Sequence, residues 1–172
     1  MLAVRGSSER LDTMRVGIGH DTHRLVEGRP LILGGVRIDH ARGLMGHSDA
    51  DVVFHAVADA LLGASALGDI GELFPDTDPK WKGLDGGVLL NEVMARVTVA
   101  GWKVGNCDVV IHAQEPKLTA HKAAIRANLA RLLQVPLTDV NIKAKTGENV
   151  GPIGRSEAIS AEVIVLLKRT ED

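Results

Sequence analysis

The chain has 172 residues, 45% of them apolar, with two Trp, two Phe and no Tyr, so one domain with a core of Val, Leu, Ile and Ala is expected. A net charge of −2 with dispersed basic residues excludes the electrostatic footprint of a broad polyanion binder, and no nucleic-acid partner is expected. The single cysteine, Cys107, excludes an internal disulfide, fits a reducing cytoplasmic compartment and leaves His and carboxylate to hold any metal, while no apolar run approaches the ~18 residues of a membrane span.

Residues 1–13, MLAVRGSSERLDT, lack the apolar segment of a signal peptide and precede a second methionine, Met14. They read as a disordered extension, or as the product of an upstream start, ahead of a domain over 14–170, with no transit peptide visible; the plastid stroma is the compartment expected in a plant or alga. Arg15 to Thr22 alternates Val16 and Ile18 with small residues, a half-buried strand that enters a loop at the histidines. PLILGGVRI then gives two short apolar runs joined at Gly34 and Gly35, a hairpin. From Asp49 to Leu67 apolar residues recur at helical spacing, with Ser48 or Asp49 as N-cap. Residues 68–83, rich in Gly, Pro and Asp, form a long loop. A second helix runs from about Asp85 to Ala100 and stops at Gly101; the strand WKVGNCDVVIHAQ follows. Pro116 introduces a third helix, roughly Thr119 to Leu133, and Pro136 marks its exit. VNIKAKT, the loop GENVGPIGR and the run EAISAEVIVLLKR close an α/β domain whose mixed sheet is covered by helices.

Asp21 and His23 are two apart, so in an extended segment both side chains leave one face and can reach one ion. On the first helix, His55 sits one turn from both Asp51 and Asp59, a polar stripe on an otherwise apolar element. Asp21, His23 and His55 would give zinc a two-His, one-carboxylate shell with an open fourth position, and Asp51 or Asp59 could orient an imidazole behind it. Spacing alone leaves the alternative open that each imidazole is separately hydrogen-bonded. Asp69, Gly71, Asp76 and Asp78 suit a loop that takes substrate hydroxyls and phosphate, or equally a solvated turn capped by Asp. Lys145, Thr146, Gly147, Glu148 and Arg155 suit a phosphorylated ligand with a divalent ion, or a plain Gly/Pro turn; no Walker pattern is present.

Taken together, D-x-H after the first strand, HSDADVVFHAVADALLGASALGDIGELFPDTDP, AQEPKL and KAKTGENVGPIGR resemble, in order over about residues 14–168, the 2-C-methyl-D-erythritol 2,4-cyclodiphosphate synthase family of mevalonate-independent isoprenoid biosynthesis. The resemblance implies a homotrimer with each active site at a subunit boundary. It implies cyclisation of 4-diphosphocytidyl-2-C-methyl-D-erythritol 2-phosphate, whose 2-phosphate attacks the β-phosphorus and expels CMP. It implies zinc on Asp21, His23 and His55, and magnesium or manganese, with Glu148 as protein ligand, bridging the α and β phosphates. His47 and Thr146 match positions that hydrogen-bond phosphate in the transition state, with Ser48 beside His47. Asp69, Ile70, Gly71, Phe74, Pro75, Asp76, Thr77 and Asp78 match the loop around the methylerythritol and diphosphate. Ala113, Gln114, Glu115, Pro116, Lys117, Leu118 and Thr119, with Lys145 to Glu148, match the cytidine pocket. Arg155 and Pro152 match positions at a central cavity that can hold an isoprenoid diphosphate, although Pro152 stands where relatives often carry Phe. His20, one before Asp21, points off the metal face.

Two other classes compete. A zinc-dependent phosphohydrolase would release inorganic phosphate and usually needs a second ligand cluster, which the sequence does not supply. A non-catalytic nucleotide-binding module would use the metal structurally, which an open three-ligand shell argues against.

Overall fold

The longest strand of the computed structural model, β1 (Met14–Glu27), carries Asp21 and His23. The structure describes residues 14–46, 48–75, 81 and 83–170. The expected extension at 1–13 and the candidates His47, Asp76, Thr77 and Asp78 lie outside the described residues. After β1 come β2 (Leu31–Leu33), β3 (Val36–Ile38), β4 (Arg42–Leu44), α1 (Val52–Ser65), α2 (Ile70–Leu73), α3 (Gly86–Val99) and β5 (Trp102–His112). The chain then forms α4 (Lys122–Leu132), a 3-10 turn (Leu137–Asp139), β6 (Val140–Lys145), α5 (Gly151–Gly154) and β7 (Ala158–Arg169). Five strands make a mixed sheet in the order β4-β1-β7-β5-β6, in which only β5 and β6 run parallel; β2 and β3 form the expected hairpin around Gly34 and Gly35.

Three expectations are corrected. β1 does not open into a loop at the histidines. It pairs with β7 from Met14 to Arg24 and with β4 from Leu25 to Glu27, so a change of partner supplies hydrogen bonds through and beyond His23. The N-cap of α1 is Asp51, neither Ser48 nor Asp49: its carboxylate accepts the Val53 and Phe54 N–H groups and, from the hairpin, those of Gly34 and Gly35 at 2.8 and 2.7 Å. Four backbone donors meet on one fully buried side chain and lock the hairpin to the start of the helix. The 68–83 loop carries the short helix α2, capped by Asp69.

The helices lie on one face of the sheet. Leu25, Ile159, Ala161, Val163, Val165, Leu167, Val109, Ile111, Val140 and Ile142 are buried there. On β1 that face carries Gly17 and Gly19. A Cβ on Gly17 would stand 1.9 Å from the Ala60 carbonyl oxygen, and one on Gly19 would stand 1.9 Å from that of Ala56. The helix therefore lies nearly in contact with the strand backbone along Ala56, Ala60 and Ala64, which brings His55 over the residues that follow Gly19. Among the described residues no helix covers most of the opposite, bare face, which is partly apolar: Ile18 is 73% exposed and Val16 67%, opposite Ile164 and Leu166 of β7.

Candidate functional site

Asp21 and His23 both face α1 from β1, and His55 descends onto them from the end of its first turn. Asp21 Oδ2 lies 3.0 Å from His23 Nε2 and 3.0 Å from His55 Nδ1, and the two imidazole nitrogens are 3.3 Å apart. A tetrahedral cation with bonds of about 2.0–2.1 Å keeps its ligand atoms about 3.3 Å apart. The triangle therefore already has the size of one face of such a shell. Asp21 and His23 are 21% and 20% exposed, so a fourth position opens to solvent, whereas His55 is buried. Among the described residues this is the group of three or more His, Cys, Asp and Glu side chains whose donor atoms could share an ion.

The electrostatics suit a cation. Burial alone would raise the Asp21 carboxyl, but hydrogen bonds and charge from His23 and His55 outweigh it and hold the group well below the usual carboxylate range. Burial disfavours the His55 imidazolium, yet the Asp21 carboxylate and the charges of Asp51 and Asp49 raise its pKa. Both shifts favour the charged forms of Asp21 and His55, and a divalent ion bound there would compete with the His55 proton.

The side chain that orients His55 is Ser48, and neither Asp51 nor Asp59 does so. Ser48 Oγ lies 3.1 Å from His55 Nε2 and accepts the Ala50 N–H at 3.1 Å. With Nδ1 turned to the cation, Nε2 carries the ring proton and donates it to Ser48 Oγ. Asp51 is taken up by four backbone donors, and Asp59 accepts the Ile70 N–H at 2.9 Å, tethering α2 to α1. Of the loop candidates, Asp69 caps α2 through Glu72 N–H, Gly71 is exposed, and Phe74, followed by Pro75, packs edge-on against Trp81 with ring centroids 4.9 Å apart.

The second group gathers at the ends of the parallel strands. Ala113 N–H donates to Lys145 C=O, Gln114 Nε2 donates to Asn149 Oδ1, and the Glu115–Pro116 bond is cis. Lys117 and Thr119 are exposed and Leu118 is buried beneath them. The Thr146 hydroxyl donates to Glu148 Oε1 at 2.6 Å, and Glu148 takes φ +48°, a backbone conformation costly for a non-glycine residue. Gly147 is half-buried beside them. Arg155 is paired with Glu157 through two hydrogen bonds, and Pro152 sits exposed in the first turn of α5.

These two groups do not meet within one chain. Thr22, Ser160, His112 and Lys145 form one cross-strand row, so β1 and β6 stand three strand spacings apart, about 14 Å. Asp21 and His23 face α1, whereas Thr22 in that row faces the bare side. His20 lies on the bare side as well, opposite Glu162 and 3.3 Å from Thr22 Oγ1, away from the cation ligands. Sequence reading did not single out the close seam of Gly17 and Gly19 against α1, although G-x-G followed by alanines four apart was its signal. Gly19→Ala should therefore push α1 off β1, lower stability by about 1–3 kcal/mol and loosen the triangle; thermal melts and cation titration of this variant check both effects.

A mixed-sheet α/β domain with a His/Asp/His cluster that could hold a metal ion, and a separate Gly-rich loop at the ends of its parallel strands, defines a class of domain with room for a metal-assisted site. The YgbB family model matches residues 14–168, and the chain belongs to that family. It is 60% identical over 155 residues to the 2-C-methyl-D-erythritol 2,4-cyclodiphosphate synthase of Bordetella avium, covering 90% of this chain and 96% of that protein. Among solved structures, the bifunctional IspDF of Campylobacter jejuni matches with a TM-score of 0.88 at 42% identity, over 92% of this chain and 43% of that one. A 2C-methyl-D-erythritol-2,4-cyclodiphosphate synthase in a CDP-bound form matches with a TM-score of 0.83 at 42% identity, over 90% of this chain and all of that one.

Proposed function

We propose that this chain works as a 2-C-methyl-D-erythritol 2,4-cyclodiphosphate synthase, a phosphorus-oxygen lyase of non-mevalonate isoprenoid biosynthesis. In 4-diphosphocytidyl-2-C-methyl-D-erythritol 2-phosphate, an oxygen of the 2-phosphate attacks the β-phosphorus, the bond to the α-phosphate oxygen breaks, and CMP leaves with that oxygen. One anion attacks another, so the barrier is dominated by repulsion and alignment. Bound to this chain, zinc on Asp21, His23 and His55, and magnesium or manganese on Glu148, supply charge neutralisation to the diphosphate. The observation that carries the reading is the Asp21–His23–His55 triangle, of cation-shell size and open on one side, in a chain of this family.

The protein's own groups supply position. Ser48 holds the imidazole of His55, and Thr146 holds the Glu148 carboxylate. His47 donates to phosphate oxygens as charge builds, and the Thr146 hydroxyl, whose one proton goes to Glu148 in the free chain, turns to phosphate once the carboxylate holds its cation. Residues 69–71 and 74–78 enclose the methylerythritol diphosphate, and residues 113–119 with 145–148 take cytidine; the CDP-bound relative supports a cytidine nucleotide as ligand. The chain assembles as a homotrimer through the bare sheet face, which leaves Val16, Ile18 and Ile164 too exposed for an isolated subunit. Each site then takes its zinc half from one subunit and its cytidine loops from the next. Arg155 and Pro152 border the central cavity, where an isoprenoid diphosphate would bind. The protein acts in the cytoplasm.

Product analysis tests the reading. Metal-replete protein should convert the cytidyl substrate to CMP and cyclic diphosphate in equal amounts, with chelator abolishing turnover and zinc plus manganese restoring it. Release of inorganic phosphate would make the protein a phosphohydrolase, and binding of the nucleotide without turnover would make it a non-catalytic module.

A further inference from the structure

Between β1 and β2, Arg29 projects away from its own turn and donates from Nη2 to the backbone carbonyl of Ser48 at 2.9 Å. Its own backbone is fixed. Gly43 of β4 lies so close that a Cβ there would stand 2.1 Å from the Pro30 carbonyl oxygen and 2.4 Å from that of Arg29, and Pro30 restricts its own φ. The segment it reaches is anchored at both ends. Met45 N–H donates to Arg24 C=O, Asp49 N–H donates to Leu84 C=O, and the Asp49 carboxylate accepts Gly86 N–H. Among the described residues, the guanidinium of Arg29 is the tether on the Ser48 carbonyl between those anchors. Ala50, two residues on, takes φ +58°, so this turn is held in a conformation its sequence does not favour.

We infer that Arg29 is a positioning residue for the reaction, acting through Ser48 on the imidazole of His55. The same residue whose carbonyl Arg29 grips presents its Oγ to His55 Nε2 at 3.1 Å. A charged donor on the carbonyl fixes the Ser48 peptide plane, the plane fixes the start of its side chain, and Oγ fixes the ring whose Nδ1 faces Asp21 and His23. A displacement of about 1 Å at a reacting centre costs on the order of a hundredfold in rate. Arg29 needs no contact with substrate to matter.

The test is a double-mutant cycle of Arg29→Met, which keeps the aliphatic stem, with Ser48→Ala. Arg29→Met is expected to lower kcat about 10- to 100-fold at saturating zinc, with KM for the cytidyl substrate within about threefold of wild type. Arg29→Lys, which can donate to the same carbonyl, should recover part of the loss. The double variant should be no slower than the slower single variant, because both act along one path. Additive losses, a wild-type kcat in Arg29→Met, or a KM effect alone would each overturn the inference. Should Arg29→Met not fold, Arg29→Gln takes its place in the cycle.

The kinetic arm rests on the cyclase reading, and a second arm does not: amide exchange across residues 45–50 should quicken about tenfold in Arg29→Met while α1 stays protected. Unchanged exchange overturns this inference, whereas wild-type protein that releases no CMP overturns the cyclase reading.

Discussion

His55→Ala is expected to abolish stoichiometric zinc binding and reduce turnover by at least a thousandfold while the protein stays folded. Removal of a partner behind a metal ligand already costs about 10- to 100-fold in affinity, and loss of a ligand atom must cost more. Two ligands remain on β1, neither buried, and among the described residues α1 offers no second ligand to replace His55. The helix itself does not depend on His55. Val53, Phe54, Ala56, Val57, Ala60, Leu61, Leu62 and Ala64 bury its length, and Asp51 caps it. Loss of one imidazole at the edge of that surface should cost about 1–2 kcal/mol in the metal-free protein. Zinc retained at one ion per chain would refute the ligand assignment, and a protein that no longer folds cooperatively would refute the separation of site from core.

The same variant tests the charge state of the metal-free site. His55 titrates above its ordinary range, so its contribution to stability is complete below that range and fades as pH rises through the elevated folded value. Asp21 titrates below the carboxylate range, so its contribution is present above that range and is lost as pH falls through the depressed value. Metal-free wild type is therefore expected to be most stable between the two ranges, and His55→Ala should remove the alkaline limb and weaken the acid one. Zinc replaces the His55 proton, so metal loading should release a proton and move the optimum to higher pH. Melting curves from about pH 3 to pH 9, with and without zinc, read both shifts.

How much of this was legible follows from what each signal encodes. Period-two spacing placed Asp21 and His23 on one face and His20 on the other because alternation is a local property of any strand, whatever its partners. The end of β1 was not legible, since its last residues are held by β4, and nothing local announces that partner. Helix α1 was clear from apolar spacing, but its cap was not: Ser48, Asp49 and Asp51 are all good caps, and the hairpin N–H groups of Gly34 and Gly35, remote in sequence, decide for Asp51. That choice frees Ser48 to face His55. The polar stripe Asp51–His55–Asp59 looked like one functional unit, yet its outer members serve backbone donors from the hairpin and from α2. Helical spacing shows which side chains share a face; it does not show which neighbour claims each of them. The loop candidates were legible mainly through family resemblance, because Gly, Asp and Pro serve turns and ligands alike.

Mixed trimers of His55→Ala and Glu148→Gln chains, each inactive alone, should regain about a third of wild-type activity. The zinc ligands sit on β1 facing α1, while Lys145 to Glu148 follow β6, about 14 Å across the sheet, so neither half completes the other within a subunit. In a trimer with its sites at subunit boundaries, a Glu148→Gln chain still offers Asp21, His23 and His55, and a His55→Ala chain still offers Glu148. Every trimer that contains both chains, in either ratio, then has them in the productive order at one boundary, so about a third of the sites in mixed trimers are complete. The measurement is CMP release after the two proteins are co-expressed with different tags and the doubly tagged species isolated, with mixed but unassembled proteins as the blank. Activity no higher than the sum of the two variants, in trimers shown to be mixed, would place each complete site inside one chain. Recovery of about a third would require both the shared boundary and the division of labour between β1 and the loop after β6, because no other arrangement lets two dead subunits make a live site.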